Sequence, residues 1–194
     1  MNALMDTLTN ILIIDLTPLN NPLFKNEFVK PIENILIENN LKYTIIHYRK
    51  LKPNDINNFT KIIISGTGLK DEEYLNYINN FSWIKNTKKN ILGICAGSQI
   101  IATQFNAKIT KNCEIGIFKA KIIKNSPIIF NENLNEIYCL HNNSFSINEN
   151  FEIIAKTKTT QIFKIKNKNI FGTLFHPEIK NKNIILNFLS ENKI

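Results

Sequence analysis

The stretch NILGICAGSQIIA, residues 90–102, passes from a wholly apolar run into helically spaced residues through one tight turn at Cys95. Ile91–Ile94 reads as a buried strand, and Ser98–Ala102 as the opening turns of a helix. A turn this sharp forces its central residue into a strained conformation, and large neighbouring side chains would collide there. Gly93 and Gly97, two residues to either side, remove the collision. The expected result is an exposed cysteine at the carboxyl end of a sheet, over a helix N-terminus, where unpaired N–H groups favour a thiolate. That is an arrangement for a nucleophile. The two other cysteines, Cys113 and Cys139, lack flanking glycines and read as small buried residues.

The rest of the chain supplies the sheet. Residues 10–15 (NILIID), 43–48 (YTIIHY) and 61–65 (KIIIS) are short apolar runs of strand type. Residues 25–40 place Phe28, Ile32, Ile35 and Leu36 at helical intervals, with Pro31 expected to start or kink the helix. Residues 71–81 (DEEYLNYINNF) read as a second helix with an acidic first turn. Strands alternating with helices imply a parallel sheet covered on both faces. Beyond about residue 110 the pattern changes to strands with short turns, at 114–123, 136–141, 151–157, 160–166 and 170–176, before a closing helix at 180–192. The reading is one α/β domain, 1–194, with an antiparallel addition in its second half.

Composition removes several alternatives. No apolar run reaches the roughly eighteen residues of a membrane span, and the N-terminus has no basic start followed by an apolar core. Three cysteines without C-x-x-C spacing form neither a disulfide framework nor a zinc site. A reducing cytoplasm is the expected location, with no metal and no cofactor. The formal charge of +8 raises the question of nucleic acid, but Arg49 is the only arginine and the lysines are scattered among asparagines and isoleucines. Phosphate and guanine readout relies on clustered arginine, so no nucleic-acid partner is expected.

A cysteine nucleophile needs a base and a group to orient that base. Of three histidines, His47 lies within an apolar strand, while His176 ends one and is followed by Pro177 and Glu178. Carboxyl ends of strands collect the active site in a sheet of this kind. Proline stops the strand, and Glu178 can fold back to accept the imidazole's second N–H, fixing its tautomer.

Gly93-Ile94-Cys95-Ala96-Gly97-Ser98-Gln99 together with Phe175-His176-Pro177-Glu178 resembles the class I (triad) glutamine amidotransferases, nearest to stand-alone glutaminase subunits such as that of GMP synthetase. The resemblance covers nearly the whole chain. It implies a three-layer sandwich of flavodoxin-like type and hydrolysis of the L-glutamine side-chain amide through a thioester on Cys95. The ammonia would pass to a separately encoded synthetase subunit. It implies an oxyanion hole from the N–H of Ala96 and that of Thr67 or Gly68, in the loop Ser65-Gly66-Thr67-Gly68. It also implies substrate contacts from Gly66, Gly68, Gln99, Asn142 and Asn143, the last two on a clasping loop that begins at His141. The chain departs from the GMP synthetase glutaminase pattern in two places. Ser-Gly-Thr-Gly stands for Ser-Gly-Gly-Pro, and His-Asn-Asn for His-x-Asp.

Other readings are a γ-glutamyl peptide hydrolase or another cysteine-elbow hydrolase, and a catalytically silent regulatory subunit. Cys-Ala-Gly is similar to the glutaminase of pyridoxal phosphate synthesis, but Gln99 is not. The amidotransferase fold uses the whole chain, leaving no residues for a synthetase domain. Activity is therefore expected to stay low until a partner docks on the rim formed by residues 65–73, 141–146 and 177–182.

Overall fold

The computed structural model describes residues 10–190. Its main sheet begins with four strands: β1 (Ile11–Asp15), β2 (Tyr43–His47), β3 (Lys61–Ile64) and β4 (Asn90–Ile94). β1 pairs in parallel with both β2 and β3, and β3 with β4. β10 (Ile170–Thr173) joins β4, also in parallel. The sheet then turns antiparallel through β9 (Thr160–Ile165), β8 (Phe151–Lys156) and β6 (Lys121–Ile122). The order is β2-β1-β3-β4-β10-β9-β8-β6. β1, β3, β4 and β10 are buried throughout, as continuous isoleucine and leucine runs require of strands covered on both faces.

Helices cover those faces. Residues 25–40 form two helices rather than one, α1 (Pro22–Phe28) and α2 (Lys30–Glu38), which meet at Val29. Pro31 has no N–H to continue the first helix and sits instead in the first turn of the second. α3 (Ala96–Gln104) follows the elbow, and α4 (Pro177–Lys180) and α5 (Lys182–Ser190) close the described chain. Residues 191 and 192 of the helix expected at 180–192 lie outside the described residues. The helix expected at 71–81 is a 3-10 segment, Glu73–Lys85. Its asparagines, serine and aromatic residues are poor α-formers, and it is held by burying Tyr74, Phe81 and Ile84. β2 and β3 are joined through a 3-10 turn at Pro53–Asn58. Among the described residues no helix is long and apolar enough to cross a membrane.

The expected strand 114–123 is in fact two. β5 (Ile109–Phe118) leaves the main sheet and pairs with β7 (Ile137–Phe145) as a separate antiparallel ribbon, while β6 joins the main sheet. This ribbon lies against α3 and α4, over the carboxyl end of the sheet.

Candidate active site

Cys95 stands between β4 and α3 at φ 48° and ψ −106°. A non-glycine residue there stores on the order of 1–3 kcal/mol of strain. The elbow is held by the Cys95 N–H on the Thr173 carbonyl (2.7 Å) and by the N–H groups of Ser98 and Gln99 returning to the Cys95 carbonyl (3.0 and 3.1 Å). Its glycines have the steric role expected of them. A Cβ on Gly93 would lie 2.5 Å from the Gly97 carbonyl oxygen, and one on Gly97 2.3 Å from that of Ile64.

His176 follows β10 and Glu178 lies in α4. His176 Nδ1 is 2.7 Å from Glu178 Oε1. A carboxylate only accepts, so Nδ1 carries the proton and Nε2 is the free face of the ring. Nε2 has no hydrogen-bond partner among the described residues. Cys95 and His176 converge on Gly66, where a Cβ would lie 2.8 Å from His176 Cε1 and 3.4 Å from Cys95 Cβ. Burial alone would push the His176 pKa down. The Glu178 carboxylate and Cys95 outweigh it, so the imidazole sits well above the ordinary histidine value. The structure thus brings Cys95, His176 and Glu178 together.

Cys95 is not exposed, as the elbow alone suggested: 4% of its surface is accessible. The thiol lies under β7, donating to the Leu140 carbonyl at 3.6 Å. The Phe28 ring packs on His176 (centroids 5.5 Å apart), with Tyr138 on another side at 6.3 Å. Nothing local to the elbow encodes this cover, which comes from α1 and the ribbon. Sequence reasoning passed over Phe28, Tyr138 and Leu140 because their only signal is apolar periodicity.

The loop 65–68 reaches the same edge. Thr67 Oγ1 donates to Asp71 Oδ2 (2.6 Å), and the Phe24 ring fills the space a side chain on Gly68 would need. Among the described residues, the N–H groups of Thr67, Gly68 and Ala96 enter no turn or loop backbone bond. Ala96 opens α3, whose first N–H groups have no intrahelical acceptor. Gln99 is buried, its Oε1 accepting from Tyr74 OH (2.6 Å) and its Nε2 donating to the Asn143 carbonyl (3.1 Å). His141, Asn142 and Asn143 lie inside β7 rather than on a loop past a strand end. Their ladder with β5 keeps the backbone extended. The amide of Asn142 donates to the Leu69 carbonyl (3.2 Å), and that of Asn143 to Glu72 Oε1 (2.9 Å).

The other cysteines and histidines divide differently than expected. Cys113 is exposed, while Cys139 is buried, and burial first, then Glu114, pushes its thiol up to about 12. His47 is bonded to the Thr17 carbonyl at 2.8 Å and accepts from the Arg49 N–H, a structural role. His141 joins Glu114 and Cys139 in a second buried cluster, whose potential ligand atoms lie within 4.8 Å of one another.

The family profile described as "Glutamine amidotransferase class-I" matches residues 23–191. The chain is 40% identical over 109 residues to a GMP synthase (glutamine-hydrolyzing) of Brachyspira hyodysenteriae, a match covering 51% of this chain and 21% of that protein. It thus spans about a fifth of that relative's length. It is 29% identical over 156 residues to a separately encoded GMP synthase (glutamine-hydrolyzing) subunit of Thermoplasma acidophilum, covering 72% of this chain and 78% of the relative. In fold it is similar to a solved Thermoplasma acidophilum protein provisionally assigned as a GMP synthase subunit, with TM-score 0.82, 22% identity, and 94% and 92% of the two chains covered. A glutamine amidotransferase from Thermotoga maritima superposes with TM-score 0.70 at 19% identity, over 88% and 76% of the two chains. A profile match running from α1 to the end of α5 takes in the elbow, the His-Pro-Glu turn and the sheet between them, and by that match the chain belongs to the class I glutamine amidotransferases.

Proposed function

We propose that residues 1–194 act as a single glutaminase domain that hydrolyses L-glutamine and supplies ammonia to a separately encoded synthetase subunit of GMP synthetase type. The observation that carries this reading is the free Nε2 of His176, with Nδ1 tied to Glu178 at 2.7 Å and the ring meeting Cys95 over Gly66. His176 Nε2 takes the thiol proton, and the Cys95 sulfur attacks the amide carbon. The C–S bond forms as the carbonyl becomes an oxyanion, which the N–H of Ala96 and that of Thr67 or Gly68 receive. Collapse breaks the C–N bond, and the proton on His176 leaves with ammonia. Water then adds to the thioester with His176 as base, which releases glutamate and restores the thiol.

Gly66 and Gly68 leave room for the substrate chain, and Gln99, Asn142 and Asn143 shape the pocket for its amino-acid end. The near-complete burial of Cys95 supports partner dependence, since the cover must shift before glutamine enters. Exposed apolar side chains stand on the elements bordering the site, Ile179 on α4 and Ile115 and Ile117 on β5, where a synthetase would dock. The test is co-purification from the native source, with glutamine turnover measured before and after adding the recovered partner. Stable recovery of a nucleotide-activating partner and at least about tenfold stimulation are expected, the equivalent of about 1.4 kcal/mol. High turnover by the isolated chain with no partner recovered would refute it.

A further inference from the structure

β5 is packed inside out. Ile115 and Ile117 are 54% and 51% exposed, while the strand's one buried residue among the described ones is Glu114, at 4%. A buried carboxylate beside exposed isoleucines reverses the usual partition and calls for a reason. A register shift between Lys111 and Glu114 re-aims the strand so that Glu114 faces inward opposite His141.

Three donors from the β8–β9 hairpin region meet one of its oxygens. Glu114 Oε2 accepts from Thr157 Oγ1 (2.9 Å), Thr159 Oγ1 (3.0 Å) and Gln161 Nε2 (2.6 Å). The same oxygen lies 3.4 Å from His141 Nε2, and His141 Nδ1 is 3.2 Å from the Asn112 carbonyl. A carbonyl only accepts, so Nδ1 carries a proton and the ring is pinned at both ends. Glu114 therefore links the main sheet to a ribbon that shares no backbone ladder with it. From His141 the next contacts along β7 are those of the site: the Leu140 carbonyl on the Cys95 thiol, and the Asn143 carbonyl on Gln99.

We propose that Glu114 is a positioning residue: by holding His141 against the β8–β9 hairpin, it sets β7 at the height that shapes the glutamine pocket beside Cys95. The role rests on the glutaminase reading above, and it needs reach and hydrogen bonding rather than charge. A glutamine side chain satisfies it, because its oxygen can accept from the hairpin donors while its amide donates to His141. A cation held by Glu114, His141 and Cys139 is the competing use of the cluster. It is disfavoured because one carboxylate oxygen already meets three donors and burial keeps the Cys139 thiol protonated.

The experiment compares Glu114→Ala, Glu114→Asp and Glu114→Gln in the full chain, with Thr157→Val as a milder variant should Ala not fold. Glutamine KM and kcat are measured, together with labelling of Cys95 by a glutamine-mimicking diazo-ketone and by iodoacetamide. Expected are a KM about tenfold higher in Ala and Asp and about threefold higher in Thr157→Val, with kcat changed less. Diazo-ketone labelling should slow in parallel while iodoacetamide labelling does not, and Gln should restore both KM and labelling to within about threefold of wild type. A folded Ala variant with wild-type KM and labelling overturns the proposal. So does Gln as damaged as Ala, or one zinc per chain by elemental analysis. A wild-type chain that neither hydrolyses glutamine nor takes the diazo-ketone would instead refute the glutaminase reading.

Discussion

Two clusters in this molecule are built from the same three residue types. Cys95, His176 and Glu178 are joined at the carboxyl edge of the parallel sheet; Cys139, His141 and Glu114 lie behind them, between the ribbon and the antiparallel strands. In the first, the carboxylate binds the far nitrogen of the imidazole and leaves Nε2 free toward the thiol. In the second, Nδ1 is spent on a main-chain carbonyl and the carboxylate on three side-chain donors. Their histidines are displaced in opposite directions. Burial opposes the charge on both rings, but Glu178 and Cys95 carry His176 upward, whereas burial prevails at His141 and lowers it. Composition alone therefore does not make a reactive site: what differs is which nitrogen remains unclaimed, and whether backbone strain sets the sulfur at a turn or a ladder holds it in a strand.

Cysteine replacement separates the clusters most sharply. Cys95→Ala should reduce ammonia release by more than about a thousandfold while the protein stays folded. Cys139→Ala should leave turnover within about threefold and cost roughly 1 kcal/mol of stability, as a small core truncation does. A glutamine-mimicking diazo-ketone should mark Cys95 alone by peptide mass spectrometry, although Cys113 is the exposed thiol. Equal labelling of all three would erase the distinction between reactive and inert sulfur.

Gly66→Ala probes the tightness of the first cluster. The added methyl would press on His176 Cε1 and Cys95 Cβ at once. An ångström of misplacement there should lower kcat by about a hundredfold, read against an unchanged far-ultraviolet circular dichroism spectrum. Wild-type kcat would mean that the ring has room to retreat.

The smallest effect is the dependence of stability on pH. His176, raised in the fold, contributes stability that is complete below the unfolded histidine pKa and is lost as pH rises through its folded value. His141, lowered in the fold, contributes stability that is present above the unfolded pKa and is lost as pH falls through its own folded value. Glu178→Gln should move the His176 NMR titration to lower pH and flatten the alkaline loss of Tm. It should also cut turnover, by on the order of a hundredfold but less than His176→Ala, since it disturbs orientation without removing the base. His141→Gln should flatten the acid loss, each change in Tm being a few degrees. Matching pH profiles in both variants would mean the two rings share one environment.

Much of the first cluster was legible in the sequence because its geometry is local. Gly93 and Gly97 flank Cys95 within one turn, and His176 and Glu178 are separated only by Pro177, so each half of the site is decided by a few adjacent residues. The second cluster was not legible. Glu114 meets Thr157, Thr159 and Gln161 across the ribbon and the hairpin, more than forty residues away in the chain. Cys113 and Cys139 look alike as sequence, yet one faces solvent and the other the core.

The sequence by itself determined the buried parallel strands, the strained elbow and the pairing of His176 with Glu178. Apolar runs, glycine spacing and a proline stop act over a few residues, and no distant contact is needed to read them. Only the tertiary structure decided that β5 and β7 leave the main sheet, that they lid Cys95, and that a carboxylate rather than an isoleucine faces inward from β5. A period of two assigns alternate residues to two faces without saying which face is buried, and a bulge of one residue exchanges them. The choice between those faces is made by partners that the chain brings up from far along its length.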